Sequence, residues 1–440
     1  NNNHINIDKF FRLKVRIMKR KNWYLLDNAA LIFPCTANKT RPNMFCVSAF
    51  LVEEINQAIL QETIDQVLPR FPSYKVRLKK GLFWYYFEEN TKDYVVEEEP
   101  AYLYNYDMLK SKNGYLFDLA YYRNKISLTM FHSLTDGTGA MEFLKTIVYQ
   151  YLKLTGKDID SEGVVMMPNA PSINSEVKDN FVKYYNKDKS IAPKELKAYH
   201  IEGTHFDYGV GTIVGTASVS EVKKLAKKYN VTLTTYLSAL FTYALYLDAY
   251  SEEHPIKKPI KLFVPVNMRK IFKDETTRNY AGYLRLETFC KPNMTLEEVI
   301  LDYDKQMKEK VTKEYLANAS NANVRMSKNF IIRIMPLAVK NIAMRIGYSM
   351  LGDGIQTTSV SNLGVVQIPK SMEPYIENLH FDLGASYNIA KNFGICSYKD
   401  KLNMSFCRSI IETGLEKQFF KLLTDQGIKV EIMSNYWERE

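Results

Sequence analysis

The feature that most constrains this chain is a change of period between residues 126 and 151. Ile126, Leu128, Met130 and His132 alternate with Ser127, Thr129 and Phe131, and side chains that alternate at period two belong to a strand. After Gly139 the apolar positions become Met141, Leu144, Ile147, Val148 and Tyr151, which is the spacing of a helix. A strand must therefore end and a helix begin within the few residues His132-Ser133-Leu134-Thr135-Asp136-Gly137. Asp136 falls near the helix start, where an acidic side chain caps amides and suits the dipole.

The same reading extends over the rest of the chain. Asn43 to Leu51 is predicted as a strand and Glu54 to Leu68 as a helix, with short strands at Lys75–Leu78 and Leu82–Phe87. Ser218 and Glu221 form a capping box for a helix through Lys228, and a longer helix is expected from Thr232 to Tyr250. Strands follow at Lys261–Val266 and Tyr283–Phe289. A hairpin crosses Lys399-Asp400-Lys401, and a final helix covers Glu412 to Asp425. Phe330 to Tyr348 reads as one amphipathic helix, packed more readily between lobes than on a membrane surface. The stretch Phe330 to Met350, broken by Arg333, Pro336, Lys340 and Arg345, is too polar to span a bilayer.

At 440 residues, the chain is long for one hydrophobic core and suits two. Asp158 to Ala198 is rich in polar residues and proline and makes a poor core. We therefore expect a first lobe at residues 1–170, a linker at 171–200 and a second lobe at 201–440. Strands and helices alternate in both halves, which predicts an α/β fold with mixed sheets and a cleft between two lobes.

Composition narrows the function. The net charge of +10 suits an anionic partner such as a phosphorylated co-substrate, but no block of like charges marks a nucleic-acid tail. Five cysteines without a CxxC argue against a disulfide framework or a zinc site and fit a reducing cytoplasm. Asn1 to Asp8 lacks the cationic and apolar segments of a signal peptide. His200, His205, His254 and His380 have no metal-ligand spacing, and no phosphate-loop or dinucleotide fingerprint occurs.

His132 is the candidate for chemistry. An imidazole is largely neutral at pH 7 and accepts a proton. Acyl transfer needs such a base because a hydroxyl or amine attacks poorly until its proton is drawn off. The Gly137 amide, at a helix start, is a candidate donor to the developing oxyanion. Asp136 could orient the imidazole or lock the loop through an arginine, and the short loop favours the arginine. With six histidines, 20 aspartates and 19 glycines, a chance His with Asp at +4 and Gly at +5 arises in roughly one such chain in a hundred. Placement at a strand end must therefore add weight. The competing reading is a buried histidine hydrogen-bonded in a turn.

Phe131 through Gly137 resembles the HxxxDG motif of the coenzyme A-dependent acyltransferases, a superfamily that includes chloramphenicol acetyltransferase and peptide condensation domains. Asn22 to Ala30 is similar to the N-terminal segment of bacterial alcohol acetyltransferase-like proteins, and Leu68-Pro69-Arg70-Phe71-Pro72 to the end of that family's first helix. Val264 to Arg269, followed by Asn279-Tyr280-Ala281-Gly282, resembles a second-lobe segment with its arginine and downstream asparagine. Ser359 to Gly364 resembles the crossover near a tunnel.

The resemblance implies two chloramphenicol-acetyltransferase-like lobes, arranged as a pseudo-dimer around a tunnel, with no metal. It implies His132 as base, Asp136 held by Arg269, Gly137 leaving room for substrate, and Ser361 and Asn362 lining the lobe junction. Acyl-CoA would be a co-substrate rather than a bound cofactor, and a small alcohol or amine the acceptor. A donor on an acyl carrier protein and a non-catalytic binding role remain open alternatives. Phe131 stands where condensation domains usually carry a first histidine, which weakens the peptide-condensing reading. Phe381-Asp382-Leu383-Gly384 only partly echoes the DFGWG motif of plant acyltransferases and reads as the end of a core strand.

Overall fold

A computed structural model describes residues 22–100, 104, 112–186, 195–207 and 209–435. The signal-peptide reading of Asn1 to Asp8, and parts of the linker, lie outside them. The strands are β1 Trp23–Leu25, β2 Met44–Leu51, β3 Val76–Lys80, β4 Tyr85–Glu89, β5 Glu97–Glu98, β6 Phe117–Tyr122, β7 Lys125–Phe131, β8 Gly211–Ser218, β9 Ile260–Asn267, β10 Ala281–Thr288, β11 Thr358–Val365, β12 Ile376–Leu383, β13 Lys391–Tyr398, β14 Lys401–Arg408 and β15 Glu431–Ser434. The helices are α1 Ile32–Thr36, α2 Gln57–Val67, α3 Gly137–Leu154, α4 Val219–Lys228, α5 Leu233–Ala249, α6 Met268–Phe272, α7 Leu296–Lys310, α8 Lys313–Lys328, α9 Phe330–Ile334, α10 Leu337–Leu351 and α11 Gly414–Thr424.

Two sheets organise the molecule. The first has the order β12-β2-β7-β6-β5 and the second the order β10-β9-β11-β13-β14-β8-β15, with a small β1-β4-β3 sheet beside the first. Both large sheets are mixed, with β5–β6, β9–β11 and β11–β13 parallel. Each has its own apolar core. One gathers β2, β6, β7, α2 and α3, the other β8 to β11, α4, α5, α7 and α11.

β12 breaks the contiguous division into lobes. It lies within residues 201–440, yet it pairs antiparallel with β2 of the first sheet, from Ile376 opposite Leu51 to Leu383 opposite Phe45. Without it, β2 would present a row of unpaired backbone groups at an edge. Its other face lies over β13 and β14. The Cys396 thiol donates to the Leu379 carbonyl at 3.0 Å, and Asn403 Nδ2 donates to the same oxygen at 2.8 Å. β13 is consequently buried along its whole length.

The region 330–348 also differs from the expectation. It is two helices, α9 and α10, parted at Met335-Pro336. A proline has no amide to donate, and the residue before it is pushed out of the helical region. Met335 accordingly has extended angles, φ −63° and ψ 127°. Nor are these helices buried between lobes, since most of their apolar side chains face outward.

Candidate active site

His132 is the first residue after β7. Its amide donates to the Asn43 carbonyl at 2.9 Å, and the chain then turns as the Leu134 amide donates to the Phe131 carbonyl at 2.9 Å. The imidazole lies flat against Phe33 of α1, with ring centroids 4.4 Å apart, and meets the edge of Phe45 of β2 at 5.1 Å. Two aromatic walls thus fix the plane of the ring.

A third contact fixes its tautomer. His132 Nδ1 lies 3.1 Å from Asn279 Oδ1. The Asn279 Nδ2 group donates to the His132 carbonyl at 3.0 Å and to Asp27 Oδ2 at 3.3 Å. Turning the amide over would face its oxygen toward two acceptors, so the carbonyl end must point at the imidazole. Nδ1 then carries the hydrogen, and the lone pair sits on Nε2. Burial lowers the His132 pKa below the ordinary value of 6.5, against the opposing pull of its own carbonyl, the Asp136 charge and Asn279. The ring is therefore neutral at pH 7 and ready to accept a proton.

Asp27 anchors this arrangement from behind. Its Oδ1 accepts from the Ala30 amide at 2.7 Å, in the turn that leads into α1 and Phe33. The Arg278 Nε lies 3.4 Å from Oδ2. Full burial outweighs Arg278 and the hydrogen bonds and pushes the carboxyl up to about 6, so at pH 7 it is still mostly ionised.

Asp136 caps α3. Its backbone is extended, and Oδ1 accepts from the Gly139 amide at 3.1 Å. Oδ2 accepts from Arg269 Nη1 and from the Tyr280 amide, each at 2.8 Å. Burial alone would raise this carboxyl. Arg269 and the two amides more than offset it and hold the group below the usual aspartate value. Arg269 in turn donates through Nε to the Thr276 carbonyl at 2.7 Å and through Nη2 to the Arg278 carbonyl. The carboxylate therefore ties the first-lobe loop to the second-lobe segment 276–280 and thereby places Asn279.

Around that tie the lobes meet closely. The Thr277 carbonyl accepts from Thr135 Oγ1 at 2.5 Å and Tyr74 Oη at 2.7 Å. A side chain on Gly139 would run into both Thr135 and that carbonyl, and one on Gly137 into Leu363 of β11 and Phe381 of β12. Residues of the expected linker reinforce the joint, because the Glu176 carbonyl accepts from the Thr277 amide while its carboxylate takes both ends of the Arg70 guanidinium.

Ser361 and Asn362 stand on β11, immediately before Leu363. Ser361 is buried and pairs with Gly394. Asn362 donates to Thr234 Oγ1 at 3.0 Å and accepts from the Gly364 amide at 2.8 Å. They adjoin the Gly137 contact but have no hydrogen bond to His132. A cavity of about 220 Å³ is lined by Tyr24, Phe87, Ser172 and Arg278, among others. It touches the His132 arrangement only through Arg278 and is smaller than an ordinary ligand pocket. Among the described residues, no group of three or more His, Cys, Asp or Glu could hold a metal ion.

The roles of Asn279, Asp27, Phe33 and Phe45 were not legible in the sequence. Asn279 lies 147 residues from His132. Its one signal was membership of the Asn279-Tyr280-Ala281-Gly282 segment.

Residues 212–426 match the family model of alcohol acetyltransferases. That span contains Arg269, Asn279, Ser361 and Asn362, while His132 lies before it. The fold is that of the chloramphenicol acetyltransferase and condensation-domain proteins. An F. graminearum protein solved with coenzyme A and T-2 mycotoxin superposes with a TM-score of 0.60 at 11% identity, covering 93% of this chain and 99% of the other. Polyketide synthase associated protein 5 from Mycobacterium tuberculosis gives 0.55 at 14% identity, covering 92% and 96%. The starter condensation domain of rhizomide synthetase, solved with C8-CoA, gives 0.57 at 13% identity, covering 94% and 96%. No curated protein sequence matches.

Proposed function

We propose that this chain, whose second lobe belongs to the alcohol acetyltransferase family, transfers an acyl group from a coenzyme A thioester to an alcohol hydroxyl, with His132 as the general base. The observation that carries the reading is the Asn279 amide. By holding the hydrogen on Nδ1 it presents a lone pair on Nε2.

In this reaction Nε2 takes the hydroxyl proton as the alcohol oxygen attacks the thioester carbon, and a tetrahedral oxyanion forms. The Gly137 amide, at the first position of α3, has no partner within the helix and is the proposed donor to that oxyanion. The intermediate collapses, the carbon–sulfur bond breaks, and the imidazolium returns its proton to the departing thiolate. Asp136 and Arg269 act by holding the loop rather than by touching substrate. Ser361 and Asn362 are proposed to line the substrate path where β11 meets Gly137. Relatives solved with coenzyme A or C8-CoA support a thioester donor. Acyl-CoA is accordingly a co-substrate here, and no permanently bound group is invoked.

The test is free-thiol release from acetyl-CoA and longer acyl-CoA thioesters against a panel of alcohols and amines, with the product identified by mass. An ester formed only when both partners are present is the expected result. Turnover with an acylated carrier protein but with no coenzyme A thioester would overturn the donor assignment. Turnover with neither would leave a binding protein.

A further inference from the structure

α9 and α10 carry an apolar surface that no part of the described chain covers. Phe330, Ile331 and Ile334 of α9 are each more than half exposed. On α10, Val339, Ile342, Ile346 and Met350 are equally exposed, and their spacing of three, four and four residues makes one stripe along the helix. The opposite side of α10 is the packed one. Leu337 and Lys340 are buried, the Leu337 amide donates to the Leu82 carbonyl, and Lys340 lies over the Trp84 ring. That packing brings the β3–β4 turn alongside, with Leu82 and Phe83 also exposed.

Charge decides what could cover such a face. From Tyr315 to Gly352 the sequence has no Asp or Glu, while Arg325, Lys328, Arg333 and Arg345 are exposed. Lys79 and Lys80 precede the exposed turn. A second copy meeting this face about a twofold axis would set cation against cation. The apolar side chains protrude from two short helices and a turn rather than lining a groove, so a protein partner would have to supply the concavity. A bilayer with anionic headgroups needs none: apolar side chains enter its interfacial region while neighbouring Lys and Arg stay with the phosphates.

We infer that α9, α10 and the β3–β4 turn form a docking surface for an anionic lipid membrane. The surface lies close to the site. α10 packs on α1, where Arg345 Nε donates to the Cys35 carbonyl at 2.9 Å, and Phe33 of α1 stacks on His132. Docking would thus place the Phe33 ring that stacks on His132 one helix from the lipid. The inference does not depend on the transfer chemistry.

The experiment is co-sedimentation of the full chain with phosphatidylcholine vesicles, with and without about one-third phosphatidylglycerol. Wild type should pellet with the anionic vesicles and be released as salt rises. Ile342→Asp/Ile346→Asp should weaken partitioning by about tenfold or more, and Lys328→Gln/Arg333→Gln should weaken it on anionic vesicles alone. Both variants change exposed side chains, so circular dichroism and thiol release with a soluble alcohol should match wild type. Wild type left in the supernatant with both vesicles would overturn the inference, as would equal pelleting of the aspartate variant. A dimer dispersed by the aspartate substitutions, or capture by an acidic carrier protein lost with them, would overturn it too if vesicle binding were absent, by assigning the face to a protein partner.

Discussion

At the scale of single residues, the side chain that faces the proposed base is an asparagine rather than the aspartate of the motif. Asp136 spends its oxygens on Arg269, Tyr280 and Gly139, whereas Asn279 faces the imidazole. Asn279→Ala should lower kcat by about tenfold or more with a smaller change in KM, because the base loses its fixed tautomer while the substrate contacts remain. The pH profile follows from two groups, His132 and Asp27. His132 must be neutral, and its pKa lies below 6.5. Asp27 accepts more strongly from Asn279 when ionised, and its carboxyl titrates at about 6. The acid limb of kcat/KM should therefore fall below the ordinary histidine value of about 6.5, with activity at full strength at pH 7. A midpoint above 7 would contradict this assignment. His132 and the Asp136–Gly137 helix start were legible because strand, turn and helix are local patterns of period two and 3.6. Asn279 and Asp27 were not, because their function is a meeting of segments far apart in sequence.

Elements show the same division. The capping of α4 by Ser218, which accepts from the Glu221 amide, and the reversal at Lys399, with φ 52°, stand where local sequence signals put them. What local signals could not supply was pairing between distant segments. Nothing in Ile376 to Leu383 states that it will close the edge of β2 rather than join the second sheet. The apolar pattern of 330–348 likewise shows an amphipathic surface but not whether protein covers it. Pro336 was visible, and its break of the helix follows from its missing amide. α10 offers a simple check of its independence from the core. Gly347 has open space where a Cβ would stand, so Gly347→Ala should stabilise the protein by about 0.5–1 kcal/mol through helix propensity alone. A destabilised variant in a urea melt would mean that something packs against that turn of the helix.

For the whole molecule, two lobes meet at the candidate site. The first supplies His132 and the second supplies the Asn279 that orients it, and the Asp136–Arg269 pair couples them. Arg269→Ala leaves a buried carboxylate without its cation and should cost about 3–5 kcal/mol, read as a lowered urea midpoint. The sign of its pH dependence is set. A carboxyl whose folded pKa is depressed contributes stability above its unfolded value of about 3.9 and loses it as pH falls through the folded value. The gap between wild type and Arg269→Ala should thus be widest near neutrality and shrink below about pH 4. The most direct test of the account is acceptor-dependent thiol release by His132→Ala beside wild type, with folding checked by circular dichroism. A general base at His132 predicts a loss of about 10²–10⁴-fold in kcat in a folded protein. A folded His132→Ala protein that turns over at the wild-type rate would contradict it.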